Sequence, residues 1–246
     1  MKKCWLVIVI FLFFIPLSLF SFSFEPISSN YSPSGPRANQ LFRIVNTEKG
    51  KIAVRVSVTT REIDSEGNET NVPVPELFMV YPSRMVLEAG ESRSVRVKWN
   101  GDPDPPRELA FRIIAEQIPV EFEPNERTDG AGIRLTYRYM GNIYILPHGA
   151  APEVVLTSHE LRGNNLVLNM ENKGSRHTLL ENLAVYFNSL KGERILSLAA
   201  PELPGVEGEN LLAGDERRFV VTLSREAAAL LAAETWEVEF DFDPVF

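Results

Sequence analysis

The sequence predicts an all-β protein: two immunoglobulin-like β-sandwich domains joined by a short linker, placed after an N-terminal signal peptide. Three observations predict it. Alternating apolar residues recur in short, turn-bounded runs that fall into two blocks of roughly 100 to 125 residues. The Gly and Pro residues are spread along the chain rather than clustered, as many turns require. One segment reads as a helix, "SREAAALLAAE" at Ser224 to Glu234, and it is too short and Ala-rich to be more than a connection capped by Ser224.

The chain opens with Lys2 and Lys3 ahead of the apolar run "CWLVIVIFLFFIPLSLF", and Ser21 and Ser23 supply the alternate small residues that a signal peptidase reads. Residues 1–23 are therefore expected to be an export signal, with the mature chain starting near Phe24. The alternative is an uncleaved anchor, since the run approaches the ~17 to 25 residues that cross a bilayer. Pro16 and the small residues after it favour cleavage, so no stable membrane insertion is expected afterwards. Cys4 lies inside the signal and is the one cysteine, which leaves the mature chain without disulfides, a thiolate nucleophile or Cys-ligated metal. Losing Lys2 and Lys3 moves the formal charge from −8 to −10, which repels phosphate backbones and argues against nucleic acid as a partner.

About 220 residues remain, enough for two domains of ordinary size. The first is expected over residues 24–147 and the second over 152–246, divided by "PHGAAP" at Pro147 to Pro152, whose prolines make a short, stiff linker. In the first block, "KIAVRVSVTT" carries Val54, Val56 and Val58; "SRMVLEAGESRSVRVKW" carries Met85 and Leu87, a turn at Ala89-Gly90, then Val95, Val97 and Trp99; "ELAFRIIAEQIP" carries Phe111, Ile113 and Ala115. "DSEGNE" at Asp64 to Glu69 reads as a hairpin tip and "NGDPDPPRE" at Asn100 to Glu108 as a Pro-stiffened loop. In the second block, "NLVLNMEN" puts Leu166, Leu168 and Met170 on one face, and "WEVEFDF" does the same with Trp236, Val238, Phe240 and Phe242.

Catalytic chemistry is not legible. His148, His159 and His177 lack metal-ligand spacing and read as surface or turn residues, so neither metal nor cofactor is expected. No phosphate loop, nucleophile elbow or HExxH is present, and carboxylates such as Asp241 and Asp243 read as a solvated strand face rather than a glycosidase pair. The chain is not expected to be an enzyme.

One run stands out. From Ile133 to Ile145 in "IRLTYRYMGNIYILP", every odd position is apolar or Gly. About fourteen residues at roughly 3.3 Å each would span ~46 Å, more than one small domain covers. Part of that face is expected to run past its own core, with Gly141 dividing the two parts at a bulge or bend.

The ordered runs "FMVYPSRMVLEAGESRSVRV" and "RELAFRIIAEQIP", followed by a long alternating strand ending at Pro147, resemble the periplasmic chaperones of chaperone/usher pilus assembly. The resemblance covers most of residues 24–147 and is weaker beyond. It implies a periplasmic location, pilus or surface-fibre subunits with an incomplete immunoglobulin-like fold as partners, and delivery to an outer-membrane usher. It also implies donor-strand complementation, with Ile133, Leu135, Tyr137 and Tyr139 entering the subunit's groove and Ile143 and Ile145 packing at home. Tyr81-Pro82 sits where the family has a cis peptide, Glu108 matches the family's acidic residue after the Pro-rich loop, and Asp241 is the acid the second domain would bring to the same interdomain ion pairing. Two departures follow: Asn30 and Asn142 stand where many members carry cations for the subunit's terminal carboxylate, and Leu146 stands where a basic interdomain partner is expected. A neutral amide lacks the strength of a charge-assisted anchor. These departures point to a divergent or archaic-type branch. The alternative reading is an exported structural or adhesive β-sandwich of the envelope, against which "FEPISSNYSPSG" counts, because it alternates too weakly to be a donor extension.

Overall fold

Where apolar residues alternate, the chain is pleated and pairs, and the computed structural model describes residues 22–120, 122 and 135–246. The first domain contains β1 (Phe22–Glu25), β2 (Ser28–Tyr31), β3 (Asn39–Asn46), β4 (Ile52–Thr60), the small hairpin strands β5 (Glu62–Ile63) and β6 (Glu69–Thr70), β7 (Phe78–Tyr81), β8 (Arg84–Leu87), β9 (Ser92–Trp99), β10 (Leu109–Ile118) and β11 (Arg138–Ile145). They form two facing sheets in the orders β1-β3-β9-β7 and β2-β11-β10-β4-β8. The second domain contains β12 (Val154–Arg162), β13 (Asn165–Asn172), β14 (Thr178–Ser189), β15 (Arg194–Leu198), β16 (Asn210–Leu211), β17 (Glu216–Thr222), helix α1 (Arg225–Ala232) and β18 (Trp236–Val245). One of its sheets runs β12-β13-β17; in the other, β14 pairs with β15 and β16 and also with β18. The architecture is a two-domain β-sandwich.

Each sheet turns one face inward, as period-2 patterning requires. In the first domain Phe42, Ile44, Val95 and Val97 meet Val54, Phe111, Ile113, Ile143 and Ile145 across the sandwich. Phe78 lies edge-on to both Trp99 and Phe111, with ring centroids 5.1 and 5.0 Å apart, contacts worth ~0.5–1.5 kcal/mol each beyond simple burial. The second core is built from Leu166, Leu168, Met170, Val185, Phe187 and Phe219, with Leu231 of α1 capping it. Ser224 closes the first turn of α1 by accepting the Ala227 N–H at 3.1 Å. Each sandwich also buries one asparagine at a strand end to tie down a turn. Asn46 donates to the Gly50, Leu87 and Glu88 carbonyls, and Asn172 donates to those of Arg176 and Leu211.

Three expectations are corrected. Among the described residues, the strand expected from Ile133 is regular over Arg138–Ile145, with the ladder reaching one residue further back through Gln117 N–H donating to the Tyr137 carbonyl at 2.9 Å; Ile133 lies outside the described residues. Gly141 marks no bulge, because the register from Leu109↔Ile145 to Glu116↔Arg138 is unbroken. Its smallness answers a close approach instead: a Cβ there would sit 2.7 Å from the Ile27 carbonyl oxygen and 3.0 Å from Ile113 Cγ2. The Ile27 carbonyl is where β2 begins its parallel pairing, by accepting the Asn142 N–H at 2.8 Å.

The third correction concerns the start of the domain. The processing boundary expected after Ser23 falls inside β1, where Phe22 pairs with Asn46 and is buried, its ring edge-on to Tyr139 at 4.8 Å. Cutting there would remove a core aromatic worth ~2–3 kcal/mol of burial. The mature protein is therefore expected to retain Phe22. Mass spectrometry of the exported protein checks this, and a mature chain beginning at Phe24 would contradict it.

Candidate functional site

The odd face of β11 changes partners along its length. Gly141, Ile143 and Ile145 are buried in the first core. Tyr139 and Tyr137 are half-buried against that same core, so the home packing reaches two alternate positions further back than the sequence suggested. Leu135 is 67% exposed. The strand's edges differ as well. Odd residues turn their backbone toward β10, as the Tyr137 carbonyl shows, and even residues turn theirs toward β2, as the Asn142 and Leu146 N–H groups show by donating to Ile27 and Tyr31. Yet β2 covers only Asn142 to Ile145. Among the described residues, no strand pairs with the outward edge of β11 at Arg138 and Met140.

Where β11 runs under the second domain, a polar cleft forms. Asn142 is paired in register with Arg112 of β10, which donates from Nη1 to the Asn142 side-chain oxygen. Arg112 also grips Glu69 of β6, donating from Nε to Oε1 at 2.7 Å and from Nη2 to Oε2. Arg61 reaches the same carboxylate, with Nε 3.2 Å from Oε2, and donates from Nη1 to the Tyr144 hydroxyl at 2.8 Å. Asn210 of the second domain donates to that hydroxyl at 3.0 Å. Asn30 is exposed beside Tyr144, its partner in the β2–β11 ladder. Of the two asparagines singled out in the sequence, Asn142 thus lies within this polar cluster and Asn30 lies beside it on the neighbouring strand, and the cations are on Arg61, just beyond the end of β4, and Arg112, in the first half of β10.

Burial raises the Glu69 carboxyl, yet hydrogen bonds from Arg112 and Asn71 and the charges of Arg112 and Arg61 outweigh it and hold the group at about 2. A depressed carboxyl stabilises the fold above its unfolded value of ~4.3 and loses that contribution as the pH falls toward 2. With part of the side chain still meeting solvent, screening reduces the effect to ~1 kcal/mol. Glu69→Gln is accordingly expected to lower thermal stability at pH 7 and to approach the parent as the pH drops below about 4.5. A gap in melting temperature that stays constant down to pH 3 would contradict this assignment.

The two domains meet through a second, drier contact. Glu108 is almost fully buried, with Oε1 2.7 Å from Nδ1 of His177, and its N–H donates to the Ser175 carbonyl at 2.9 Å. The His177 ring stacks on Tyr144 at a centroid distance of 3.9 Å. His177 is thus a buried interface residue rather than the turn residue expected. Asp241, expected as the second domain's acid at this contact, is instead exposed on β18, paired in register with Ala184 of its own domain, and its carboxylate accepts the Phe242 N–H. An acid every second residue on the outer face of an edge strand keeps that face solvated. His159 stacks on Trp236 at 4.6 Å and burial lowers its pKa; His148 is exposed. Both Tyr81-Pro82 and Glu25-Pro26 are cis. Among the described residues, no group of His, Cys, Asp or Glu is placed to hold a metal ion, and no helix is long and apolar enough to cross a membrane.

Residues 33–151 match the family described as pili and flagellar-assembly chaperone, PapD N-terminal domain. The first domain belongs to that family. The family is one of chaperones rather than enzymes, and the match spans the strands that carry the open edge and the cleft. Among solved structures, a chain of the CsuC–CsuE chaperone–tip adhesion subunit pre-assembly complex from the archaic Csu pili of Acinetobacter baumannii aligns with a TM-score of 0.60 at 13% identity, covering 89% of this chain and 97% of that one. The class 5 fimbriae chaperone CfaA aligns at 0.59 and 15% identity over 91% and 100%, and the E. coli chaperone DraB at 0.53 and 18% over 83% and 86%. At such identities the likeness establishes the fold. A search of curated proteins found no match.

Proposed function

We propose that the protein is a periplasmic chaperone of pilus or surface-fibre subunits, acting by donor-strand complementation and delivering its clients to an outer-membrane usher. The observation that carries this reading is the edge of β11 that no described strand covers, which offers backbone groups at Arg138 and Met140, while the segment leading into it presents the exposed Leu135. A subunit lacking a strand exposes the complement, a sheet edge and an apolar groove, and one added strand satisfies both. Leu135, Tyr137 and Tyr139 form the described part of the donor face. Leu135 commits wholly to the partner, and the two tyrosines divide their surface between the partner and the home core. Asn30 and Asn142 border the place where the subunit's terminus ends in the cleft, and Glu108 with His177 holds the second domain against the first.

The envelope-structural reading needs an N-terminal donor extension. Residues Phe22 to Tyr31 are instead spent in the ladders of the first domain. Transfer of a client needs no nucleotide, because completing the subunit's own fold drives release. The test is co-expression with exported β-rich subunits encoded beside an usher-sized barrel, followed by purification from the periplasm. A stoichiometric binary complex is expected, and failure of every such subunit to co-purify would reject the proposal.

A further inference from the structure

β9 ends at Trp99, and the loop after it opens with an Asn-Gly pair, Asn100 and Gly101. The fold requires the glycine. A Cβ at 101 would sit 2.3 Å from Cζ2 and 2.4 Å from Cη2 of the Trp99 indole, a buried ring that cannot step aside without disturbing Phe78 and Phe111. The same loop fastens the indole, whose Nε1–H donates to the Asp102 carbonyl at 3.0 Å. The chain thus folds back over Trp99, and only a residue without a side chain fits there.

Asn100 itself is exposed, and its N–H is anchored by donating to the Leu77 carbonyl at 2.9 Å. Among the described residues, nothing hydrogen-bonds to its side-chain amide, and the Gly101 N–H has no acceptor. Asn188, which also precedes a small residue, Ser189, is held differently. Inside β14 its Nδ2 donates to Glu239 at 3.1 Å, its Oδ1 accepts from Arg194 at 2.7 Å, and its backbone lies between the ladders to β15 and β18. An electrophilic amide carbon and a nucleophilic backbone nitrogen are therefore adjacent and unengaged at 100–101, and tied down at 188–189.

We propose that Asn100 is a site of spontaneous deamidation, and that the isoaspartate formed there releases the Trp99 indole from Asp102. The Gly101 N–H gives its proton to hydroxide, the nitrogen bonds to Asn100 Cγ, and the Cγ–Nδ2 bond breaks as ammonia leaves with a proton from water. A succinimide ring results. Water opens the ring at Cγ to give an ordinary aspartate, or at the backbone carbonyl carbon to give an isoaspartate whose main chain runs through the side chain. The net change is one water taken up and one ammonia lost, so the solvent is the sole co-reactant. In the isoaspartate the main chain is one carbon longer between Trp99 and Asp102, and the carbonyl that holds the indole is displaced. Both products add a carboxylate to a loop that already exposes Asp102 and Asp104.

The experiment incubates the full mature chain in buffered 18O water and follows each asparagine by proteolytic digestion and mass spectrometry. A free peptide with the sequence of Lys98 to Asp104 serves as the reference, because a site that needs no opening of structure reacts at nearly the rate of the unfolded segment. Asn100 is expected to take up 18O within about tenfold of the peptide's rate, faster at alkaline than at neutral pH, with Asn188 slower than Asn100 by about tenfold or more. Reaction at Asn100 more than about tenfold slower than in the peptide, or Asn188 keeping pace with it, would overturn the site. The aged chain is then separated by anion exchange on its added charge, and its isoaspartyl fraction is recognised by labelling with an isoaspartyl methyltransferase. Its Trp99 indole N–H signal, told from that of Trp236 by Trp236→Phe, is expected to move in the 15N NMR spectrum. Asn100→Asp carries the same charge on a backbone of normal length and is expected to leave that signal in place. An unmoved Trp99 signal in the isoaspartyl form, or an equal movement in Asn100→Asp, would overturn the release of the indole.

Discussion

Leu135→Glu is expected to cut the yield of co-purified subunit roughly a hundredfold while leaving the chaperone as stable as its parent. Leu135 is 67% exposed in the free protein, so the new carboxylate is solvated there and the change behaves as a surface substitution, within ~0.5 kcal/mol. In a subunit groove the same carboxylate meets apolar walls without a partner and costs ~2–4 kcal/mol, where each 1.4 kcal/mol is about tenfold in affinity. The penalty therefore falls on the complex alone. Co-purification of a client alongside thermal melting of the free variant separates the two. A subunit yield equal to that of the parent would remove Leu135 from the binding strand, and a large loss of melting temperature would place it in the domain's own core.

The fold was legible because alternation is a local property. Val95, Val97 and Trp99, or Leu166, Leu168 and Met170, declare their buried face within six residues, and the structure buries all of them. The site was legible only where it is local too, in the apolar odd face of β11. The cleft was not, because it depends on register and on contacts between distant residues. Arg112 faces Asn142 only through the β10–β11 pairing, thirty positions apart, and a run such as "FRIIAE" gives no sign that its arginine reaches across to that asparagine. His177 looked like a turn residue because "NKGSRH" is a turn; what buries it is Glu108, sixty-nine positions away. Tyr144 lies on the even face, which the pattern assigns to solvent, and is buried because the second domain covers it. The processing boundary was set after Ser23 for the opposite reason. "FSFSFE" satisfies the small-residue pattern of a processing site and the alternation of a strand together, and only the pairing of Phe22 with Asn46 separates them. Gly141 shows the same limit, since a glycine in a strand signals either a bulge or a close neighbour and the Ile27 carbonyl decides which.

Ile145→Glu is expected to do the reverse of Leu135→Glu, although both residues lie on the same face of one chain segment. Ile145 is fully buried, paired in register with Leu109 of β10 and Tyr31 of β2. Tyr31 is itself so buried that its phenol is pushed well above its usual range. A glutamate at 145 forfeits ~2–3 kcal/mol of side-chain burial and sets a carboxylate among apolar groups at a further several kcal/mol unless it takes up a proton. The sum rivals the ~5–15 kcal/mol that holds a typical domain together. The variant should therefore lose the cooperative melt of the first domain, accumulate poorly in the periplasm and fail to hold a client for want of a fold rather than of a contact. Circular dichroism melts and urea titrations of the purified chain decide it. A cooperative transition within a few degrees of the parent would mean that β11 near Ile145 is packed far more loosely than its burial implies, and the division of the strand into a home end and a partner end would have to be redrawn.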